Sequence, residues 1–160
     1  MSQERLYIFD TTLRDGAQTQ GVHFSLDEKT KIAGALDSLG VDYIEGGWPG
    51  ANPTDTEFFQ KGLNLKNSCF TAFGMTKKTG RSAENDPGLS AILNSNTASV
   101  CLVGKAWDFH VDVALGISKE ENLENISETT KHFVKNNKEF MFDAEHFFDG
   151  YKSNPEYALE

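Results

Sequence analysis

Two kinds of segment alternate regularly along the 160-residue chain, and this alternation limits the architectures it can form. Short apolar runs, rich in β-branched and aromatic residues, recur about every 30 to 35 residues and are typical of buried strands. The predicted strands cover residues 6–9, 41–45, 68–73, 98–103 and 139–143. Each run is followed by a segment with the apolar spacing of a helix, which predicts an α/β fold with a parallel sheet.

Local chemistry indicates where the helices begin. Ser25 and Ser118 each have a glutamate three residues later, which is the capping-box pattern. Three further starts combine a capping side chain with proline at the first helical position: Asn52-Pro53, Asp86-Pro87 and Asn154-Pro155. Gly40 is expected to end the first helix.

Two helices carry apolar stripes that we expect to pack on the sheet. The stripe of the first consists of Ile32, Leu36 and Leu39, and that of the fourth of Leu123, Ile126, Thr130, Phe133 and Val134. Strict alternation fits both an open doubly wound sheet and a (β/α)8 barrel, and five units alone do not decide between them. A closed barrel needs about 250 residues, so a barrel interpretation leaves two open sheet edges.

Composition excludes several classes of partner. The net charge is −9, from 24 acidic and 15 basic residues, and the basic residues form no run. Nucleic acid and anionic membrane surfaces are therefore not expected as partners. The chain has neither a secretion signal at its start nor the ~18 apolar residues of a membrane helix, so we expect a cytoplasmic protein. Cys69 and Cys101 lie in apolar runs and are expected to be reduced and buried.

Charged residues and glycines follow every predicted strand. In barrels the functional groups collect at these carboxyl ends. The residues are Asp10, Arg14, Asp15, Glu45, Gly46, Gly47, Met75, Lys77, Lys105, His110, Glu145 and His146. Among them, Arg14 and Asp15 join a guanidinium, which can hold an oxyanion, to a hard metal ligand, a pair that could polarise a ketone. The alternative is a structural pair that ties the loop to the rim.

Residues 9–21 (FDTTLRDGAQTQG) closely resemble the signature of the 2-isopropylmalate and homocitrate synthase family, whose more distant relatives include HMG-CoA lyase, within the DRE-TIM metallolyases. Residues 43–53 (YIEGGWPGANP), 104–111 (GKAWDFHV), 120–126 and 142–151 (FDAEHFFDGY) look like the citramalate synthase branch. The resemblance implies a (β/α)8 TIM barrel. We therefore interpret residues 1–160 as the N-terminal portion of a single catalytic barrel domain, with about the first five βα units.

The resemblance also implies roles for individual residues. Asp15 would bind a divalent metal, Mg²⁺ or Mn²⁺, and Arg14 would bind substrate and stabilise the enolate and the 2-oxo oxygen. Glu145 would bind substrate and assist proton movement at the acetyl methyl group, and His110 would face the substrate. Glu45 and His146 stay open between functional and structural roles. His23 and His132 are expected at the surface.

Two departures from the family pattern matter. Many relatives have glutamate where this chain has Ala17, and alanine agrees with the citramalate branch. The family completes its metal site with a His-x-His pair, which these 160 residues do not contain. We expect the remaining metal ligands beyond Glu160.

The resemblance implies an acyltransferase that joins acetyl-CoA to pyruvate, giving (R)-citramalate and CoA for isoleucine, a branched-chain amino acid. Its partners would be the small-molecule substrates, acetyl-CoA among them as co-substrate, and a second copy in a homodimer of the complete protein.

The closest alternatives are 2-isopropylmalate or homocitrate synthases, with 2-oxoisovalerate or 2-oxoglutarate as acceptor. A different class is also open, an inactive barrel fragment that self-associates through its edges. A doubly wound binding domain is disfavoured because no Gly-x-Gly-x-x-Gly follows the first strand.

Overall fold

The structure, a computed structural model, describes residues 4–160 and contains one parallel sheet. Its strands are β1 (Phe9–Asp10), β2 (Tyr43–Gly47), β3 (Cys69–Met75), β4 (Ser99–Lys105) and β5 (Glu139–Glu145). The order in the sheet is β1-β2-β3-β4-β5, so each strand pairs with its neighbours in sequence. A doubly wound sheet reverses its order at a switch point, whereas a barrel does not. The sequential order over the described residues is therefore that of a (β/α)8 barrel, which settles the alternative that the sequence left open.

Helices follow the strands as predicted. They are α1 (Leu26–Leu39), α2 (Pro53–Lys61), α3 (Pro87–Leu93), α4 (Asp108–His110), α5 (Lys119–Lys135), α6 (Phe147–Ser153) and α7 (Pro155–Leu159), with a π-helical turn at Val111–Leu115 and 3₁₀ turns at Gly16–Gln18 and Ala83–Asn85. Both capping boxes form, and the three proline-marked starts carry side-chain caps. Gly40 ends α1 in the left-handed region, with φ 86°. The predicted caps are confirmed because capping depends on residues within one helical turn.

One face of the sheet packs on the helices. Successive strand residues point to opposite faces, and the helix-facing set meets aromatic and aliphatic side chains of the helices. Buried members of this core are Ile44, Ala72, Val100, Leu102, Phe58, Phe59, Leu89, Ile92 and Phe133. Burying such side chains is the main stabilising contribution to a layered α/β fold.

Two predicted core residues are exposed. Leu39 is 78% exposed at the end of α1, and Val134 is 56% exposed in α5. In α5 the buried face runs through Asn122, Asn125 and Thr129 to Phe133. The predicted apolar stripe of α5 was wrong in this respect, because three of its inward positions are polar. Asn122 donates to the carbonyl of Lys105 (2.8 Å), and Thr129 accepts from the backbone N–H of Lys77 (3.0 Å), so the inward polar atoms hold the loops after β3 and β4.

The sheet is strongly curved. The Tyr43 hydroxyl in β2 donates to Glu139 Oε1 in β5 at 2.8 Å. Neighbouring strands lie about 4.8 Å apart, so three strand spacings in a flat sheet would separate β2 from β5 by about 14 Å. Contact across the concave face therefore shows that the five strands form part of a barrel wall.

The first strand is shorter than predicted. Residues 6–9 were expected to form it, but pairing with β2 begins at Phe9, and Leu6, Tyr7 and Ile8 are 81%, 56% and 49% exposed. At the other edge Phe142 of β5 is 39% exposed. Strands β2, β3, β4 and β5 each extend two residues beyond their predicted ends, and β2, β3 and β4 begin one or two residues later than predicted. Within residues 4–160 no helix has the length and apolar character to cross a membrane.

Candidate active site

The predicted functional residues lie where the strands end. Side chains of Glu45, Cys101, Asp143, Lys105 and Glu145 share the concave face, because they alternate along their strands with the residues that pack on the helices. The interior of this wall is charged toward the carboxyl ends of the strands. Charge in such a position must be paired or solvated, so the pairing pattern defines the site.

Arg14 is held at three points. Its Nε donates to Glu45 Oε2 (2.7 Å), and its Nη1 donates to Asp15 Oδ1 (2.9 Å). The guanidinium carbon lies 3.9 Å from the centre of the Phe73 ring, a cation–π arrangement. Its other terminal nitrogen, Nη2, has no hydrogen bond to residues 4–160. The guanidinium is thus fixed in orientation while two of its N–H groups stay available for a ligand.

Glu45 is the buried partner of Arg14. The residue is 1% exposed, and burial raises the pKa of its carboxyl, an effect that the hydrogen bond and charge of Arg14 oppose only in part. Asp143 and Asp15 raise the same pKa further through like-charge repulsion. The sequence left the role of Glu45 open. A carboxylate at an inward strand position needs a cationic partner, and this requirement is the signal in the sequence that could have identified Glu45 as a residue of the site.

A second buried ion pair shapes the loop after Glu45. Lys29 of α1 contacts Asp55 of α2 and donates to the carbonyl of Gly46 (2.8 Å). The Asp55 carboxylate also accepts from the Trp48 backbone N–H (2.9 Å). Gly47 has φ 144°, and a Cβ there would lie 2.5 Å from the Asp55 side chain, so the turn requires glycine. The turn therefore has one defined course, which fixes the end of β2.

A cavity of about 390 Å³ opens beside Arg14. Loops after β1 and β2 form most of its wall, through Arg14, Gln18, Trp48 and Asn52, and Phe73 of β3 also lines it. Its lining is largely polar, with aromatic surface from Trp48 and Phe73. Arg14 therefore lines a space large enough for a substrate.

Glu145 pairs with Lys105 and not with Arg14. The two residues end β5 and β4 at paired register positions, and their side chains form an ion pair. Arg14 makes its polar side-chain contacts with Glu45 and Asp15. The structure thus brings together Arg14, Asp15 and Glu45 in one group, and Lys105 and Glu145 in a second. The sequence placed Lys105 at a strand end but assigned it no role.

His110 and His146 meet at the ends of β4 and β5. Their ring centres are 4.7 Å apart and the planes are nearly perpendicular, and Trp107 packs 4.7 Å from His110. His110 Nδ1 and Trp107 Nε1 are buried without a hydrogen-bond partner in the described part of the chain. His146 adopts φ 54°, a left-handed conformation that is strained for a residue other than glycine. Buried polar atoms without a partner and strained backbone are features that cluster at functional sites.

Other residues at the strand ends have structural contacts. Lys77 reaches outward to Glu128 (3.0 Å) and to the carbonyl of Arg81 (2.9 Å). His23 is exposed as expected, but the prediction for His132 was wrong, because its side chain is 9% exposed and packs against Phe133.

Both cysteines are free thiols, as expected. Cys101 is buried, whereas the prediction of burial was wrong for Cys69, which is half-buried. Burial raises the pKa of Cys101 to about 12, and such a thiol is a poor nucleophile near neutral pH.

The described residues do not form a metal centre by themselves. Asp15 offers a carboxylate whose side chain is 60% exposed, and carboxylate oxygen is a ligand that Mg²⁺ and Mn²⁺ accept. Within residues 4–160, however, no group of three His, Cys, Asp or Glu side chains is placed to hold a metal ion. Asp15 fits the part of one ligand and no more.

Known proteins with similar sequences support the fold and identify the family of the chain. A model of the HMGL-like family matches residues 5–159. A protein of Aquifex aeolicus named (R)-citramalate synthase is 52% identical over 159 residues, which is 98% of this chain and 30% of that protein. Four further relatives with the same name are 44–46% identical. A 2-isopropylmalate synthase 1 of Caldanaerobacter subterraneus is 34% identical over 91% of this chain and 36% of that protein. The chain therefore spans about 30% of the length of the citramalate synthases that it matches.

Solved structures show the same architecture. The hydroxymethylglutaryl-CoA lyase of Pseudomonas aeruginosa superposes with a TM-score of 0.67 at 18% identity, covering 86% of this chain and 45% of that one. An HMG-CoA lyase of Acinetobacter baumannii, solved with coenzyme A and 3-methylmalate, gives a TM-score of 0.63 at 17% identity over 86% of this chain and 44% of that one. At such identities the likeness concerns the fold, and it agrees with five consecutive βα units of a (β/α)8 barrel. Together with the match over residues 5–159, this shows that the chain belongs to the HMGL-like family.

Proposed function

We propose that the complete protein joins the acetyl group of acetyl-CoA to pyruvate, forming (R)-citramalate and CoA. The observation that carries the proposal is the geometry of Arg14, which lines the cavity and whose guanidinium is fixed by Glu45 and Asp15 through Nε and Nη1. The names of the relatives at 44–52% identity support the choice of pyruvate over other 2-oxo acids. We further propose that the complete protein is a cytoplasmic homodimer and that its product serves isoleucine biosynthesis.

In this reaction Arg14 stabilises negative charge as it develops. Deprotonation of the acetyl methyl group gives an enolate, and attack on the ketone carbon moves charge to the 2-oxo oxygen. Water then hydrolyses the thioester of the adduct, which releases CoA and citramalate. A donor that is already oriented needs no reorganisation at the moment of reaction, which is why preorganised groups contribute strongly to catalysis. The contacts of Arg14 with Glu45 (2.7 Å) and Phe73 (3.9 Å) provide that preorganisation.

Asp15 is proposed as one ligand of a divalent metal in the complete protein. A bound Mg²⁺ or Mn²⁺ would polarise the ketone of the 2-oxo acid. The other ligands would come from outside the described residues, and the remaining roles proposed for this chain are those of Arg14, Glu145 and His110. Glu145 is proposed to move the proton at the acetyl methyl group, and His110 to contact substrate.

The test is CoA release by the complete protein with acetyl-CoA and each of three acceptors: pyruvate, 2-oxoisovalerate and 2-oxoglutarate. Thiol appearance is followed with a chromogenic disulfide, and the product is identified by mass. We expect release with pyruvate at a kcat/KM at least tenfold above that for the other acids. A preference for 2-oxoisovalerate or 2-oxoglutarate would assign the chain to a different branch of the family, and no release with any acceptor would contradict the proposal.

A second candidate is favoured by the two exposed sheet edges. Leu6 and Ile8 beside β1, and Phe142 in β5, are apolar and exposed, and such edges promote association. If the 160-residue chain acts as an inactive fragment, it should self-associate in sedimentation velocity without any CoA release. A monomer over the micromolar range would exclude this candidate.

A further inference from the structure

Strands β4 and β5 end with a lysine and a glutamate at paired positions. In the parallel pairing of the two strands Lys105 stands opposite Glu145, and both side chains lie on the concave face. Lys105 Nζ contacts Glu145 Oε2. The side chains are 17% and 36% exposed, so the pair sits in the mouth of the barrel wall and is partly shielded from solvent.

Within the described part of the chain, Lys105 is the residue whose side chain bonds the Glu145 carboxylate. The side-chain hydrogen bonds of residues 4–160 include one contact to Glu145, and it comes from Lys105. Glutamate has three rotatable side-chain bonds, and without this contact its carboxylate would sample many positions. Oε1 of Glu145 stays available for a ligand while Oε2 is held.

The backbone of Lys105 is itself fixed. Asn122, which is 1% exposed in α5, donates its side-chain amide to the Lys105 carbonyl (2.8 Å). The same amide bonds the Tyr157 hydroxyl of α7 (2.7 Å). Lys105 therefore extends from a rigid strand end that two helices support, and its ammonium can define the position of a neighbour.

Three other lysines of the described chain form ion pairs away from the concave face. Lys29 is paired with Asp55 behind the β2 turn, and Lys77 is paired with Glu128 on the outer side. Lys31 pairs with Asp27 on the surface of α1, where both side chains are more than 70% exposed. Lys105 differs from all three because its partner is a carboxylate on the concave face of the sheet.

We propose that Lys105 is a positioning residue, which fixes the Glu145 carboxylate for proton transfer at the acetyl methyl group. This inference rests on the proposed function, since it assumes that Glu145 moves that proton. Positioned acid–base groups contribute about 10² to 10⁴ in rate, so loss of the positioning partner should remove about 10- to 100-fold of kcat. A partly exposed ion pair adds little to stability, so the unfolding temperature should change little.

The test uses the complete protein with Lys105→Met, Lys105→Arg, Glu145→Gln and the double variant Lys105→Met/Glu145→Gln. Lys31→Met is the matched control, since it removes a lysine–carboxylate pair on the helix surface. We expect kcat to fall about 10- to 100-fold in Lys105→Met, with both KM values within about threefold, and to recover in Lys105→Arg. In the Glu145→Gln background Lys105→Met should have no further effect, because residues that act as a unit are not additive.

Wild-type kcat in Lys105→Met, or an additive loss in the double variant, would overturn the inference. If the wild-type protein fails to release CoA with each of the three acceptors, the proposed function fails. The positioning claim is then tested by crystal structures of wild type and Lys105→Met. Displacement of the Glu145 carboxylate in the variant is expected, and an unchanged carboxylate would overturn the positioning claim. The two failures are thus distinguishable.

Discussion

The amino ends and the carboxyl ends of the strands differ in how their polar groups are satisfied. At the amino ends Asp37 accepts the backbone N–H groups of Lys66, Asn67 and Ser68 at 2.8–3.1 Å, and Tyr43 bonds Glu139. At the carboxyl ends some side chains also bond to backbone groups, but several charged side chains pair with one another and some polar atoms have no partner in residues 4–160. Two of the three buried side-chain polar atoms without a partner in residues 4–160 lie there, on Trp107 and His110, and the third is Ser99 Oγ.

The difference shows that the polar atoms open to a ligand lie mostly at one end of the sheet. Bonds to backbone N–H groups are permanent parts of the fold, and they make a rigid base. Side-chain ion pairs such as Arg14–Glu45 orient a charged group and leave its other N–H groups open to a ligand. Barrel enzymes in general place function at the carboxyl ends of the strands and stability at the amino ends.

The largest effect is expected when Arg14 is removed from the carboxyl end. Arg14→Ala in the complete protein should lower kcat by about three orders of magnitude, because an oriented donor to the oxyanion is lost. It should also reduce the free energy of unfolding by about 3 kcal/mol, since the buried Glu45 loses its partner. Steady-state CoA release and chemical denaturation measure the two effects.

The double variant Arg14→Ala/Glu45→Gln separates stability from catalysis at this site. It should regain most of the lost stability and none of the turnover.

Burial raises the pKa of Glu45. A carboxyl with a raised pKa binds its proton more tightly in the folded state, so its contribution favours the fold at low pH and is lost as pH rises from the unfolded to the folded pKa. The stability loss in Arg14→Ala should therefore grow from pH 4 to pH 8, and near-normal turnover in either variant would remove Arg14 from the oxyanion role.

A smaller effect is expected at the amino end, and on stability alone. The backbone N–H groups of Lys66 and Asn67 lower the pKa of Asp37, so its contribution is present above its unfolded pKa and is lost as pH falls through the folded value. Asp37→Asn should lower the unfolding temperature by a few degrees at pH 7 and flatten its decline between pH 5 and pH 3. Thermal scans across this range, with Lys31→Met as control, give the measurement. A fall in kcat without a fall in stability in Asp37→Asn would show that the amino end also contributes to catalysis.

The smallest effect tests strain at the carboxyl end. His146 has φ 54° and ψ 34°, which costs a residue other than glycine about 1 kcal/mol or more. His146→Gly should raise the free energy of unfolding by up to about 1 kcal/mol, since the chain entropy of glycine offsets part of the gain. Denaturant unfolding measures it. A destabilised variant would mean that the contacts of His146 with His110 and Asp149 outweigh the strain.

Sequence reasoning predicted the features that depend on short segments. The helix starts at Ser25, Asn52 and Ser118 are correct because a cap is satisfied by residues within one turn. The positions of Arg14, Asp15 and Glu145 at strand ends also follow from the alternating pattern. Their roles stay predictions.

Features that depend on the meeting of distant segments were not predictable from local patterns. Arg14 and Glu45 are 31 residues apart, and Lys105 and Glu145 are 40 apart, so both pairs exist only once the sheet has its register. Val134 was assigned to the core of α5 because it is apolar, but tertiary contacts turned Asn125 and Thr129 inward. Buried amides and hydroxyls that bond loop atoms are invisible to a hydrophobic pattern.

The bond between Tyr43 and Glu139 has a consequence for how the chain folds. Each strand pairs with its neighbour in sequence, so a growing chain can add one βα unit at a time to a surface already formed. The bond joins residues 96 positions apart and needs β5 in place. It is a long-range contact in a topology of mostly short-range ones, and it forms late, after the successive units have bent the sheet far enough for its second and fifth strands to touch.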